Sequence, residues 1–473
     1  MQIPIMSGIY TDNSPHVRSS YPVNLIPVPK ESGVSEGYLR PAWGIIAACP
    51  GGPCGPGIDR GGINWEGICY RVMGSKLVRV NANNTIDILG DVGGVGGDQV
   101  SLTYSFDRLA IASQGRLYYW SQSLGLMQVV DPDLGVVVDV RWIDGYFLIT
   151  DGENLIVTEL TDPLQINPIK YGSSEVDPDP IQAVLKLRNE AWAINRNTIE
   201  VFDNVGGPYF PYQRVDGAHI TKGAIGTHAC CVFMDSIAFV GGGRNEPPGV
   251  YLGANATASK ISTYEIDQIL QQYTETQLSN IVVEAKTDKS HEHLLIHLPD
   301  RTIVFDGGGS KQSGEFLWFV LTSSVVGFSE YRLRNFVWAY NKWLAADTQT
   351  PNLGTISDSV SSHWGNIVRW EFATPIIYNQ SRGAIFHELE LVALPGSAAL
   401  GINPMVTTSY SLDGRTWSQD RAIYAGSTGG TMKRLVWFQQ GITRNMRIQR
   451  FRGDSQAHVS FLRLEAQIEP LVF

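Results

Sequence analysis

A chain of 473 residues is too long for one ordinary core, and long enough for a large repeat domain with one or two smaller modules. Hydrophobic residues make up 43% and charged residues 17%, which excludes disorder, and 49 glycines with 10% aromatics favour short strands joined by tight turns. The formal net charge of -10, with Lys and Arg scattered along the chain, argues against a cationic grip on nucleic acid and is compatible with an acidic wall past which DNA slides.

The N-terminus has no basic region followed by an apolar run, and no stretch approaches the roughly 18 apolar residues of a membrane span. Folding in the cytoplasm of the producing cell, without membrane insertion, is expected. Residues 1–44 are Pro-rich and aperiodic, with Pro22, Pro27, Pro29 and Pro41, and read as an extended arm or lead-in strand.

From about residue 60 a hairpin unit recurs. Ile68–Val72 turns through Met73–Ser75 into Lys76–Val80, and Leu109–Ala112 through Ser113–Gly115 into Arg116–Trp120. Tyr146–Thr150 leads through Asp151–Glu153 to Asn154–Thr158, and Ala191–Ile194 through Asn195–Asn197 to Thr198–Phe202. Ile237–Val240 precedes Gly249–Leu252, His293–Leu298 turns at Pro299–Asp300 into Arg301–Phe305, and a weaker copy begins at Trp343. The spacing is roughly 40 to 55 residues, that of a four-stranded propeller blade. A lone hairpin cannot cover both of its faces, whereas radial stacking lets each blade cover the next and leaves short, protected edges. Residues 45–355 are therefore expected to form a β-propeller of six or seven blades.

A helical insertion interrupts the repeat at about 262–279. Ser262 and Glu265 have capping-box spacing, and Ile266, Ile269, Leu270 and Tyr273 share one helical face. Packing of that face on the blades is expected, with docking to a partner as the alternative. From about Trp364 the repeat stops, and the alternating segments Ile367–Phe372, Ile385–Val392, Met405–Tyr410, Arg434–Phe438 and His458–Glu465 read as a C-terminal β-sandwich over 364–473. The fold class is all-β.

Candidate chemistry is sparse. Five cysteines occur, Cys49, Cys54, Cys69, Cys230 and Cys231, an odd count that argues against a disulfide framework. Cys49 and Cys54 bracket a Pro-Gly loop, but no second pair completes a zinc set, and reduced structural thiols are expected. His291, His293 and His297 point to one side of a strand, as metal ligands could, but Leu295 shares that side and no further ligand is evident nearby. Ser411–Ser418 looks like the Asp-box turn of sialidase-type propellers, one residue short between Asp413 and Gly414. It reads as a hairpin turn with Trp417 buried beneath it. Gly93–Gly97 lacks dinucleotide-loop spacing, Arg452–Asp454 matches an adhesion tripeptide by chance, and no nucleophile-base signature occurs. No catalytic, cofactor-binding or metal-binding residue is assigned, and no cofactor is expected.

Two segments go further. Tyr21–Leu25, Pro29–Glu31, Gly37–Arg40 and Gly44–Ile45 resemble the N-terminal signature of the packaged-DNA stabilisation proteins of short-tailed phages, also called tail accessory or tail-hub (nozzle) proteins. Lys222–Gly223, Gly226–Thr227, Asp235–Ser236, Ala238–Phe239, Val250–Tyr251, Tyr273–Thr274, Leu294–Pro299 and Phe305–Asp306 resemble the same family's central region. The resemblance implies a virion protein of the tail, a homo-hexameric ring at the distal end of the portal and its adaptor. Such a ring closes the channel after packaging, docks tailspikes or fibres and a tail needle or plug, and passes DNA at genome ejection without reading its sequence. Under this resemblance His297 is a structural residue of a blade strand. The alternative is a carbohydrate-binding or carbohydrate-active propeller, which the Asp-box-like turn and the 12 tryptophans favour.

Overall fold

The computed structural model describes residues 2–3, 21–29, 37–49, 52–160, 162–379 and 382–471. Among these, seven sheets of four or five antiparallel strands follow one another around a ring. The hairpins read from the sequence are the middle strands of the blades, Ile68–Met73 with Lys76–Val80 in the first and His291–His297 with Thr302–Asp306 in the sixth. The expectation of a propeller is borne out, and the blade number is seven.

Each blade buries its faces against its neighbours. Tyr70, Val72 and Leu77 of blade one pack with Ile111, Tyr118 and Trp120 of blade two. Equivalent apolar clusters fill the remaining seams, including the closing one, where Cys69 and Val80 of blade one meet Val337, Leu344 and Leu353 of blade seven. Closure is made by hydrogen bonds as well. Blade seven takes three strands from Leu333–Ser357 and its fourth, Gly44–Ala47, from the start of the chain, in a register that pairs Gly354 with Ala47 and Ile356 with Ile45. An open ring would leave two bare edges, and sharing one blade between distant chain segments removes that liability.

The C-terminal module is a sandwich of two antiparallel sheets. Arg369–Ala373, Met446–Asp454, Met405–Ser411 and Arg421–Tyr424 form one sheet, and Ser460–Pro470, Ala384–Leu394 and Leu435–Phe438 belong to the other. Trp370, Phe372, Phe386, Trp437, Phe451 and Phe461 fill the space between. Residues read as an arm join this module: Leu25–Pro29 and Gly37–Pro41 form a hairpin on the edge of the second sheet, and Leu25 and Leu39 enter the sandwich core. Lys30 and Glu31 lie outside the described residues. The chain thus runs from the sandwich into blade seven, around the ring, and back.

The insertion forms two short helices, α1 (Tyr264–Leu270) and α2 (Glu275–Ser279). Ile266 and Leu270 are fully buried against blades five and six, with Ile269 and Tyr273 packed beside them. The capping box expected at Ser262 and Glu265 does not form. Thr263 is the N-cap of α1 without a side-chain capping bond, its hydroxyl meeting the Tyr21 hydroxyl at 2.6 Å, and the Ser262 hydroxyl donates to Asp267 Oδ1 and accepts from the Val250 N–H. The box appears at α2, where Thr274 and Gln277 bond reciprocally. The α1 hydroxyl is drawn off by a strand N–H that would otherwise be buried unpaired. Among the described residues, no helix is long and apolar enough to cross a membrane.

Candidate functional site

The innermost strands converge on a cavity of ≈ 330 Å³ along the propeller axis, with Gly62, Ser101, Arg141, Leu185, Cys231, Glu284 and Asn335 contributed one from each blade. Its charged groups are already paired. Glu284 accepts from the N–H groups of Asn335 and Phe336 at 3.1 and 2.8 Å and meets His297 Nε2 at 2.7 Å, and Arg141 lies 3.2 Å from Asp139. Burial pushes the Cys230 thiol up to about 12 and the Cys231 thiol well above its usual range, so neither is a thiolate nucleophile. This axis ties the ring together with polar bonds.

Of the three histidines, two are brought together and one is sent elsewhere. His297 bonds Glu284 through Nε2 and Thr302 Oγ1 through Nδ1, at 2.7 and 2.9 Å. His291 and His293 stack 5.5 Å apart over Asp306, which the register sets directly across from His293. Asp306 is fully buried. Its Oδ1 accepts from the Gly309 N–H at 3.0 Å, capping α3 (Gly307–Ser313), and its Oδ2 lies 2.5 Å from His291 Nδ1 and 4.0 Å from His293 Nε2. Burial raises the Asp306 pKa, but the His291 bond and the neighbouring His293 outweigh it and hold the carboxyl below its usual value. His293 is wholly enclosed, edge-on to Trp43 at 4.9 Å and to Phe319 at 5.8 Å, and neither ring nitrogen has a hydrogen-bond partner among the described residues. Burial pushes its pKa well below the usual imidazole value. An unpaired buried polar group costs about 1–3 kcal/mol; Lys286 Nζ and Trp318 Nε1 of the same blade also lack a hydrogen-bond partner, but His293 is the residue with both of its polar atoms unpaired.

The expectation of reduced thiols at Cys49 and Cys54 is corrected: the two are joined as a disulfide. Their loop folds back so that the Cα atoms lie 5.4 Å apart, within bridging range, and an odd total does not prevent one local pairing. Cys69, Cys230 and Cys231 are free. At the Asp-box-like turn, Asp413 accepts from the N–H groups of Thr416 and Arg415, both at 2.8 Å, and these bonds hold its carboxyl far below the usual range. Trp417 is half-buried, not fully buried, and lies under the Arg450 guanidinium at 3.8 Å. Arg452–Asp454 belongs to a sandwich strand, with Arg452 paired to Asp420 at 2.5 Å.

Fold and site together define a structural scaffold: a ring closed by its own N-terminal strand, fused to a sandwich, with polar groups committed to holding strands. The chain belongs to the phage protein family described as Bacteriophage P22 Gp10, whose β-propeller matches residues 1–361 and whose β-sandwich matches residues 369–469. It is 26% identical over 467 residues to the tail hub protein gp10 of Salmonella phage P22, covering 94% of each chain. Among solved structures, the WD40 domain of Neurospora crassa Pan2 is similar at TM-score 0.40 and 9% identity over 66% of this chain and 93% of that one. BamB from Moraxella catarrhalis is similar at TM-score 0.39 and 12% identity over 74% and 98%.

Proposed function

We propose that the chain is the tail hub of a short-tailed phage, a structural virion protein with no catalytic step. The observation that carries this reading is the end-to-end match, propeller and sandwich in the same order, to a protein that bears that role. In this reading six copies form a ring below the portal and its adaptor, retain the packaged genome, and present docking faces to tailspikes or fibres and to a needle or plug. A cavity of ≈ 330 Å³ on the propeller axis is far too small for a DNA duplex, which supports a DNA path along the axis of the ring of copies. A net charge of -10 suits a wall that repels phosphate. The Asp413 turn, which favoured a carbohydrate-directed reading, commits its carboxylate to its own hairpin.

Cryo-EM of purified tails, reconstructed without imposed symmetry, tests the assembly. Six copies around the channel are expected, and any other copy number overturns the hexamer.

A further inference from the structure

We propose that His291, His293 and Asp306 form a binding site for one divalent first-row transition-metal cation, with Zn²⁺ the best match to the donor set. His291 and His293 are two residues apart on one strand and therefore share a face, and Asp306 faces them from the adjoining strand. One ligand atom from each lies within 4.8 Å of the other two. Two imidazoles and one carboxylate make a three-point face that leaves further positions for water. His291 is the one ligand with partial exposure, 12% of its side chain, and gives the cation a way in from solvent.

The plainer reading is a His291–Asp306 hydrogen bond with His293 as packing. That reading leaves two features without a cause. Both nitrogens of the enclosed His293 are unpartnered, although Nε2 points toward Asp306 Oδ2 at 4.0 Å. Asp306, itself fully buried, has no Arg or Lys within 4 Å among the described residues, only the two histidines. A cation between the three groups supplies both the missing partner and the missing charge. The fit needs side-chain movements: ligand atoms about 2.0–2.1 Å from a tetrahedral zinc sit roughly 3.4 Å from one another, so the 2.5 Å His291–Asp306 pair opens by about 0.9 Å and the widest pair, within 4.8 Å, closes by up to about 1.4 Å.

Lys286 and Arg40 are competing cations nearby, and Arg40 is paired with Asp288 and Asp358, both at 3.6 Å. Lys286 lies across from His293 on the other side, and its ammonium is turned onto the Trp43 ring at 4.0 Å and Asp288 at 3.5 Å. Both contacts draw it away from Asp306. The ligands are also held from behind, because the Gly309 N–H fixes the Asp306 carboxylate and Trp43 with Phe319 fix the His293 ring. The proposed cation would clip the two middle strands of blade six beside Trp43, where the chain enters blade seven.

The full-length protein is stripped with chelator, dialysed, and titrated with ZnCl₂ against a chromophoric competitor. One equivalent per chain is expected, together with a rise in the unfolding midpoint that grows with free zinc. His291→Ala removes the exposed ligand, and Asp306→Asn keeps the α3 cap while removing the charge. Each should weaken zinc at least tenfold, while His387→Ala, at an exposed histidine elsewhere, should not. Zinc K-edge absorption on the wild type needs no variant, and its first shell should show two imidazoles. Less than one equivalent bound, a first shell rich in sulfur or lacking imidazole, or folded variants with wild-type affinity would each overturn the site.

Discussion

Asn24 and Thr322 exchange two hydrogen bonds: Asn24 Nδ2 donates to the Thr322 carbonyl at 2.9 Å, and the Thr322 N–H donates to Asn24 Oδ1 at 3.0 Å. The same Nδ2 donates to the Arg369 carbonyl at 2.6 Å, so one amide ties the end of blade six to the first strand of the sandwich. Asn24 sits at φ 52°, a left-handed conformation that asparagine tolerates better than most residues. Asn24→Ala should cost about 1–3 kcal/mol by leaving buried backbone groups unpaired. Asn24→Gly keeps the backbone and should cost nearly as much. Denaturant midpoints measure both, and a Gly variant as stable as wild type would show that backbone conformation, not bonding, selects asparagine.

The closing seam holds a second lock. Arg71 donates to both Asp59 oxygens at 2.7 and 2.9 Å inside blade one, with neither side chain exposed, and Asn335 of blade seven bonds both partners. Replacing a buried pair outright is often neutral, but removing one partner strands a charge. Asp59→Ala should therefore destabilise by about 3–5 kcal/mol, and Asp59→Ala with Arg71→Met by much less. Equilibrium unfolding of the three proteins checks the order.

How far the sequence anticipates these features depends on distance along the chain. The middle hairpin of each blade is legible because its two strands are adjacent, apolar and joined by a short turn. The closing strand Gly44–Ala47 is not, because its partner lies about 310 residues away and no local period records the pairing. Met446–Asp454 escapes for another reason. Arg447 and Gln449 occupy buried positions, with the Arg447 guanidinium 3.9 Å from Tyr410 and bonded to Gln449 Oε1, so the strand lacks an apolar alternation. At the histidine cluster, Asp306 could have been found by counting outward from the Pro299–Asp300 turn, which pairs His297 with Thr302 and hence His293 with Asp306.

Stability should fall with acid through His363. It is buried against Tyr331, with Nδ1 2.8 Å from Ser323 Oγ, and burial together with Arg332 pushes its pKa down to about 3, partly opposed by Asp347. The folded state stays unprotonated while the unfolded chain takes up a proton below pH 6.5. The contribution is thus full above that value and lost as pH falls toward 3, at roughly 1.4 kcal/mol per pH unit. Buried His293 and His228, whose pKa values burial also lowers, add to the same acid loss, so urea midpoints between pH 7 and 4 should fall more steeply in the wild type than in His363→Asn, the difference measuring the His363 share.

Leu295 is wholly enclosed between blades six and seven with Val304, Phe319 and Tyr331. Leu295→Asp places a charge there without a partner and should cost several kcal/mol. Phage carrying it should make filled heads that lose their DNA and lack finished tails, seen by electron microscopy and nuclease sensitivity.

In the proposed role the chain closes the genome channel mechanically. Packaged DNA repels itself, since counterions screen phosphate charge only over about 10 Å, and a stable closure needs no chemistry to hold it. The most direct measurement is the DNA content and infectivity of particles assembled without the chain, with the wild-type protein supplied in trans as control. Heads that package and then empty, rescued by the wild-type chain, are expected. Particles that keep a full genome and infect without it would overturn the proposed closure.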